Sequence, residues 1–233
     1  MKIIWAITGA GHLLKESIDV LEKISKKHEI TLITSKAGKE VLQLYGYNNK
    51  IKKILENPHH HYITDEQQQY SYPLSGKLTH EKYDLIIISP TTANTTAKIV
   101  HGIADTLITN VAAQSGKGQI PQIIVPVDQK EGLITTQLPP YIDKTKCKQC
   151  DTCTANNKCP QKIIQPPLID TTKCNSCLNC ENTCSYNAII TRKKIQLYIR
   201  KIDAENTKKL EKIENTTTLL HPEEIIKKIE EMN

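Results

Sequence analysis

Two hydrophobic rhythms alternate along the first half of this chain. Lys2 to Ile7 is a near-continuous apolar run, followed by the small turn Thr8-Gly9-Ala10-Gly11-His12. Leu13, Leu14, Ile18, Leu21 and Ile24 then recur at helical spacing as far as Lys27. Glu29 to Thr34 reads as a second strand, Ser35-Lys36-Ala37-Gly38 as a turn, and the residues through Leu44 as a short helix. Strand, turn, helix, strand is the opening of a βαβ fold. Tyr83-Asp84-Leu85-Ile86-Ile87-Ile88-Ser89 is the strongest strand pattern, and its unbroken apolar run predicts a central parallel strand covered on both faces. It feeds the polar stretch Pro90 to Lys98, a helix through Ala104, a further helical pattern around Asn110, and a strand from Gln122 to Val127.

The rhythm fails in two places. Residues 48–82 are polar, with three consecutive histidines, His59, His60 and His61, and are read as a solvated loop that covers a pocket. Adjacent histidines point in different directions whatever the backbone, so one shared metal is not expected. Beyond Arg192, Ile195, Leu197 and Ile199 alternate as a strand, and residues 203–216 are polar and read as helical or mobile. His221-Pro222-Glu223-Glu224 opens a last helix to Glu231, with proline at its first position, acids at its positive end and an apolar face of Ile225, Ile226 and Ile229.

Ligands of such sheets bind at the carboxyl ends of strands, where helix N-termini offer free N–H groups to a phosphate. Gly9-x-Gly11 lacks the third glycine of a dinucleotide fingerprint, and a bare tight turn explains it equally well. The hydroxyl-rich stretch Thr91-Thr92-Ala93-Asn94-Thr95 is either a helix cap or a phosphate or heterocycle site, and both readings stand. His12 at the start of a helix is either structural or a proton donor.

The sharpest chemical signal lies between residues 147 and 184, which hold all eight cysteines. They read Cys147-x2-Cys150-x2-Cys153-x5-Cys159-Pro160 and Cys174-x2-Cys177-x2-Cys180-x3-Cys184. Two CxxCxxC triplets, each with a fourth cysteine downstream, fit a pair of [4Fe–4S] clusters far better than a zinc site or a disulfide framework. The segment is also a repeat: Tyr141-Ile142-Asp143-Lys144-Thr145-Lys146-Cys147 echoes Leu168-Ile169-Asp170-Thr171-Thr172-Lys173-Cys174. In two-cluster ferredoxins the fourth cysteine of each run ligates the other cluster. That rule assigns Cys147, Cys150, Cys153 and Cys184 to one cluster, and Cys159, Cys174, Cys177 and Cys180 to the other. The first loop is two residues longer than usual, and Ser185 stands where a second proline is expected, with ligation expected to survive both.

Composition changes this picture little. Phenylalanine is absent and aromatic residues are 4% of the chain, so the core rests on Ile, Leu and Val, with few platforms for single-stranded nucleic acid. No run is long and apolar enough for a transmembrane helix, no secretory signal is visible, and thiolate-bound iron suits a reducing compartment, so a cytoplasmic protein is expected. The net charge of +6 is concentrated in residues 141–195, where nine basic and four acidic side chains give +5. Two clusters with their thiolates add about −4 to that region, so nucleic-acid binding is not implied.

One block resembles a known family. Ser89-Pro90-Thr91-Thr92-Ala93-Asn94-Thr95, followed by Lys98-Ile99 and Gly102-Ile103-Ala104-Asp105, is similar to the PASANT segment of the flavin-containing cysteine decarboxylase superfamily. Thr8-Gly9-Ala10 and Thr34-Ser35 match its first and second strand turns. The resemblance covers roughly residues 1–130 and implies a Rossmann-like domain that binds FMN and assembles as trimers or multiples of them. By position, Gly9, Ala10, Ser35, Thr91, Thr92, Ala93, Asn94 and Thr95 would line the FMN site. The decarboxylases' catalytic histidine, eight residues before the aspartate that opens the central strand, has no counterpart: Gly76 occupies that position and His80 is the nearest histidine. Their PxMNxxMW clasp is also absent after Val125-Pro126-Val127-Asp128. A flavoprotein of this superfamily joined to a two-cluster ferredoxin module resembles the archaeal dihydromethanopterin reductases and related archaeal iron–sulfur flavoproteins. That implies electrons passing from a donor protein such as a ferredoxin through two [4Fe–4S] clusters to FMN and on to a reduced pterin. An electron carrier without a small substrate is the alternative. The expected fold is α/β: a Rossmann-like parallel-sheet flavoprotein domain (residues 1–138), a small α+β ferredoxin-like domain (139–195) and a C-terminal helical segment (196–233).

Overall fold

The computed structural model describes residues 1–68, 73–78, 81–175 and 177–232. The chain runs β1 (Lys2–Ile7), α1 (Leu14–Ile24), β2 (Glu29–Thr34), α2 (Lys36–Leu44), α3 (Asn48–Ile54), β3 (His61–Thr64), α4 (Pro73–Lys77), β4 (Leu85–Thr91), α5 (Ala93–Val100), α6 (Leu107–Lys117) and β5 (Gln122–Pro126). It continues through β6 (Gly132–Gln137), β7 (Tyr141–Ile142), α7 (Thr154–Lys158), β8 (Ile164–Gln165), β9 (Leu168–Ile169), β10 (Ile189–Ile190), β11 (Lys194–Ile199), α8 (Lys201–Leu210), β12 (Thr216–Thr218) and α9 (Glu224–Met232). His80, the histidine nearest the decarboxylase position, lies outside the described residues.

Six strands form one sheet in the order β12-β5-β4-β1-β2-β3. Every pairing in it is parallel. This is the doubly wound order 3-2-1-4-5-6, with β12 as the sixth strand. The sheet grows outward from β1 to β3, then restarts with β4 on the other side of β1. The helices that follow β1 and β4 leave toward opposite faces, so the carboxyl ends of these two strands open a crevice.

Burial follows from this topology. All seven residues of β4 are buried, as expected for a strand covered on both faces. Ile4, Ala6, Ile33, Ile86, Ile88 and Ile124 meet Leu107, Ile108 and Val111 of α6 in one apolar cluster. Trp5 is fully buried and its indole N–H donates to Ser89 O at 3.1 Å, which removes the cost of an unpaired donor. The hydroxyls of Ser17 and Ser89 pair at 2.8 Å in the same interior.

Two expectations change and one is narrowed. Residues 48–82 are not one solvated loop, because α3, β3 and α4 fall within them and His61–Thr64 forms the edge strand against β2. His60 is 8% exposed rather than solvated. Its Nδ1 accepts from Ile30 N at 3.2 Å, so Nε2 carries the proton and donates to Ser25 O at 3.1 Å. Of the two readings of residues 203–216, the helical one holds through Leu210, with Asp203, Ala204, Asn206, Thr207 and Leu210 forming the buried side of α8. Finally, the C-terminal stretch is not a separate helical segment, since its β12 pairs with β5.

The chain divides into two compact units, the first made of residues 1–39, 54–134 and 197–233, the second of residues 40–53 and 135–196. The second unit therefore begins close to the expected boundary but also takes in residues 40–53. Its core is small: Ile142, Ala155, Cys159, Ile163, Ile164 and Ala188, with further apolar and thiol side chains of the cysteine region partly buried against them, among them Cys147, Cys153 and Cys180. The internal repeat survives in the geometry. Asp143 Oδ1 accepts from the N–H and hydroxyl of Thr145, and Asp170 Oδ1 accepts from those of Thr172. Lys162 and Asn187, each three residues past the fourth cysteine of its run, both take a left-handed φ of 50°. Their N–H groups donate to Cys159 O and Cys184 O at 3.1 and 2.9 Å.

Candidate cofactor sites

At the carboxyl edge of the sheet lies a cleft of about 470 Å³. Residues from the turn after β1 (Gly9), the start of α2 (Ser35, Lys36, Ala37), the end of β3 (Asp65) and the start of α5 (Thr92, Asn94, Thr95, Lys98) form its wall, with Asp105, Thr106 and Ile108 closing it. Its size falls in the usual range for small-molecule and cofactor sites.

Local chemistry builds this wall. Thr92 caps α5: its hydroxyl accepts from Thr95 N at 3.3 Å, and its own N–H donates to Thr8 Oγ1 at 2.9 Å. Thr8 Oγ1 in turn donates to Pro90 O at 2.7 Å, which ties the β1 turn to the β4 turn across the crevice. Ser35 Oγ accepts from Gly38 N at 3.0 Å at the start of α2. Thr106 and Thr109 cap α6 reciprocally, while Asp65 Oδ1 accepts from Leu107 N at 2.7 Å. Three helix N-termini thus face one cleft; that of α6 already holds the Asp65 carboxylate, and the first-turn N–H groups and dipoles of α2 and α5 favour an anion there. Lys36 adds a cation, whereas Lys98 is held by Asp105 at 2.8 Å.

Two glycines set the close approach of these turns. A Cβ on Gly9 would stand 2.6 Å from Ala37 Cβ. A Cβ on Gly38 would collide with the carbonyl oxygen of Ile7. The cradle is therefore shaped by missing side chains as much as by present ones, as a ligand that approaches backbone N–H groups requires.

Of the eight residues read as lining an FMN site, the structure brings five together in the wall of this cleft: Gly9, Ser35, Thr92, Asn94 and Thr95. Three are displaced from the wall. Ala10 is buried. Thr91 is fully buried and spends its hydroxyl on Ile88 O at 2.7 Å. Ala93 turns its N–H to the Asp128 carboxylate. Sequence reading missed Lys36, Ala37, Asp65, Lys98, Asp105, Thr106 and Ile108; the positions of Lys36 and Ala37 just past a strand end, and of Lys98 and Asp105 within the family-like block, were the signals at hand.

Beside the α5 N-terminus sits a titratable group of residues. Burial holds the Asp128 carboxyl above its ordinary range, Asp203 adds to the rise, and the Ala93 N–H, His12 and Arg200 oppose it. Burial pushes the His12 imidazole below its ordinary value, with Glu16 and Asp128 opposing. The loop carrying Asp128 is pinned by Thr207 Oγ1, which donates to Asp128 O at 2.8 Å. Arg200 engages Asp203 through both Nε and Nη2, at 2.7 and 2.8 Å.

In the second unit all eight cysteines are free thiols. Cys147, Cys150, Cys153 and Cys184 share the wall of a recess of about 210 Å³. The other four are electrostatic neighbours: burial pushes the Cys180 thiol up to about 11, its own backbone opposes the rise, and Cys174, Cys159 and Cys177 reinforce it. By the rule applied to the repeat, these would be the two ligand sets. The two extra residues before Cys159 are absorbed by α7, whose Ala155 is fully buried. Among the described residues no three His, Cys, Asp or Glu side chains converge to hold a single metal ion. A cubane makes a different demand, because each thiolate binds its own iron. No helix among the described residues is long and apolar enough to cross a membrane.

Comparison with known proteins identifies relatives of this chain. The model of the Flavoprotein family matches residues 1–173. The chain is 46% identical over 234 aligned positions to a dihydromethanopterin reductase (acceptor) of Methanocaldococcus jannaschii, covering 97% of this chain and 94% of the relative. It is 35% identical to the protein of the same name from Methanosarcina mazei, covering 97% of each. Among solved structures, Burkholderia xenovorans DmrB in complex with FMN, described as a cubic protein cage for redox transfer, superposes with a TM-score of 0.64 at 27% identity, over 99% of this chain and 94% of that one. With a six-stranded parallel sheet, a phosphate-suited cleft at its switch point and a family match across residues 1–173, the chain belongs to the Flavoprotein family.

Proposed function

We propose that this chain is an iron–sulfur flavoprotein oxidoreductase that reduces dihydromethanopterin to tetrahydromethanopterin, with FMN in the cleft at the sheet's carboxyl edge and two [4Fe–4S] clusters on the crossed cysteine sets. The observation that carries this reading is the end-to-end similarity, cysteine region included, to the Methanocaldococcus jannaschii dihydromethanopterin reductase (acceptor). When bound, FMN would supply two-electron storage and hydride delivery to a C=N bond of the pterin, and the clusters would relay single electrons from a low-potential donor protein such as a ferredoxin.

The chain's own residues have distinct tasks in this scheme. Gly9 and the free N–H groups at the starts of α2 and α5 would receive the FMN phosphate, with Lys36 balancing its charge. Asn94 and the Thr92 and Thr95 hydroxyls would orient the cofactor through their hydrogen-bonding groups. Reduction of C=N consumes a proton as well as a hydride. His12 is not among the residues of the cleft wall, and burial weakens its hold on a proton, so that proton is not assigned to it. The cysteines would hold iron as thiolates, and bound iron reverses the upward shift seen for the free Cys180 thiol. An oligomeric assembly, trimer-based as the family resemblance implies, is in keeping with the cage described for DmrB.

The test is anaerobic purification followed by iron, sulfide and flavin analysis, then assay with chemically reduced ferredoxin and dihydromethanopterin. About eight iron and one FMN per chain, with tetrahydromethanopterin formed, is the expected result. Loaded protein that cycles electrons between carriers but leaves the pterin untouched would make this an electron-transfer flavoprotein instead. Zinc without flavin would overturn both readings.

A further inference from the structure

The two halves of the cysteine repeat share a backbone design but not a charge. Lys144 and Lys148 occupy repeat positions that hold Thr171 and Asn175 in the second half. Lys146 and Lys173 coincide in the repeat, and each is paired with the aspartate three residues before it, at 3.7 and 3.1 Å. The scaffold therefore needs the paired lysine in both halves and needs no cation at the other two positions. Both extra lysines are exposed, and neither is paired with an acid among the described residues. Lys148 also forms part of the wall of the recess that Cys147, Cys150, Cys153 and Cys184 share, and Cys150 is exposed beside it. Cys177 is exposed in the other set, but no lysine stands at the matching position there.

We propose that the first half-repeat is the docking face for an acidic protein electron carrier, and that electrons arrive at the cluster held by Cys147, Cys150, Cys153 and Cys184 rather than at its partner cluster. The proposal rests on the iron–sulfur reading above. In each encounter the carrier loses one electron and this cluster gains it, with no bond made or broken. Opposite charges on two surfaces accelerate encounter and fix orientation. Cluster charge is common to both halves, and Asp151 beside Cys150 offsets only one of the two extra lysines, so the first half remains the less negative face, with Lys148 at the open thiolate set itself.

The test uses iron-loaded full-length protein and, as probe, an acidic two-[4Fe–4S] ferredoxin. Binding is measured at low and high salt for the parent, for the double variant Lys144→Glu with Lys148→Glu, and for a control of equal charge change, Lys26→Glu with Lys27→Glu, exposed on the turn after α1. The expected result is a Kd raised about tenfold or more in the first variant and nearly unchanged in the control, with the parent's affinity falling as salt rises. Carbodiimide cross-linking should join ferredoxin carboxylates to Lys144 and Lys148. Equal weakening in both variants, no weakening in either, or cross-links elsewhere on the iron-loaded protein overturns the docking face. Loss of iron from the Lys144/Lys148 variant is checked by analysis, and the single variant Lys144→Glu, whose residue lies outside the recess wall, then carries the comparison. Parent protein that holds no iron overturns the cluster reading itself, and the inference with it.

Discussion

Adding one methyl group at Gly9 tests whether the cradle is shaped by close approach of two turns. In Gly9→Ala the new Cβ would lie 2.6 Å from Ala37 Cβ, far inside van der Waals contact, while its distances to Ala37 C and Cα are 3.4 and 3.5 Å. Gly9 does not have a left-handed φ, so the backbone itself tolerates alanine. The penalty is therefore overpacking against a single methyl group, about 1–3 kcal/mol, or roughly 2–12 °C in Tm for a chain of this size. Because both residues line the cleft, flavin affinity should fall with stability. The decisive variant is Gly9→Ala with Ala37→Gly. It removes the colliding atom and adds only the cost of a glycine near a helix start, up to about 1 kcal/mol. Thermal unfolding and flavin titration of the parent, both singles and the double complete the cycle, with an expected favourable coupling of about 1–2 kcal/mol. A Gly9→Ala protein as stable as the parent, or a double variant no better than Gly9→Ala, refutes the reasoning.

Three further outcomes follow from the same geometry. Thr92→Ala removes the α5 cap and should cost about 1 kcal/mol in urea unfolding, with Thr92→Ser retaining most of the stability. His60→Ala strands a buried N–H on Ile30 and a buried carbonyl on Ser25, each worth about 1–3 kcal/mol, so its urea midpoint should drop well below that of an exposed control such as His59→Ala. Asp128 binds its proton more tightly folded than unfolded, so its contribution to stability is present below its ordinary value of 3.8 and is lost as pH rises through the raised folded value. Asp128→Asn should consequently be more stable than the parent at neutral pH, with the difference vanishing toward pH 4. A constant difference across that range in thermal scans would contradict the assignment.

The parts of this protein that were legible in its sequence are those where one local rule dominates. β1, β2, β4 and β5 announce themselves because strands buried on both faces need unbroken apolar runs, as Leu85 to Ile88 supply in β4. The cysteine repeat was legible because its flanking residues recur with it, as the matching Asp143–Thr145 and Asp170–Thr172 turns show. β3 and β12 were not, since edge strands such as His61–Thr64 and Thr216–Thr218 bury one side at most and carry no apolar run. His60 was hidden among two exposed neighbours, and only the tertiary arrangement of Ile30 N and Ser25 O distinguishes it. Thr91 was assigned to the cofactor site by its position in the family resemblance, yet the strand continues through it and buries it. Asp65 and Thr106 reach the cleft from segments far from either glycine turn, a long-range convergence that no local pattern encodes.

The sixth strand has a consequence for how the chain is made and remade. β12 completes the parallel sheet, yet it follows the whole cysteine segment in sequence, so during synthesis that sheet waits for its last edge until the cysteine segment has emerged. The segment is thus an insertion within a fold rather than an appendage after it. Its two stems are already bridged, with Leu138 N donating to Lys193 O at 2.9 Å where β6 and β11 pair. A two-residue turn joining Leu138 to Lys193 would close that ribbon into an ordinary hairpin. Excision at this seam would still strip residues 40–53, between β2 and β3, of the unit they belong to, so the module and the sheet are tied at a second point in the chain.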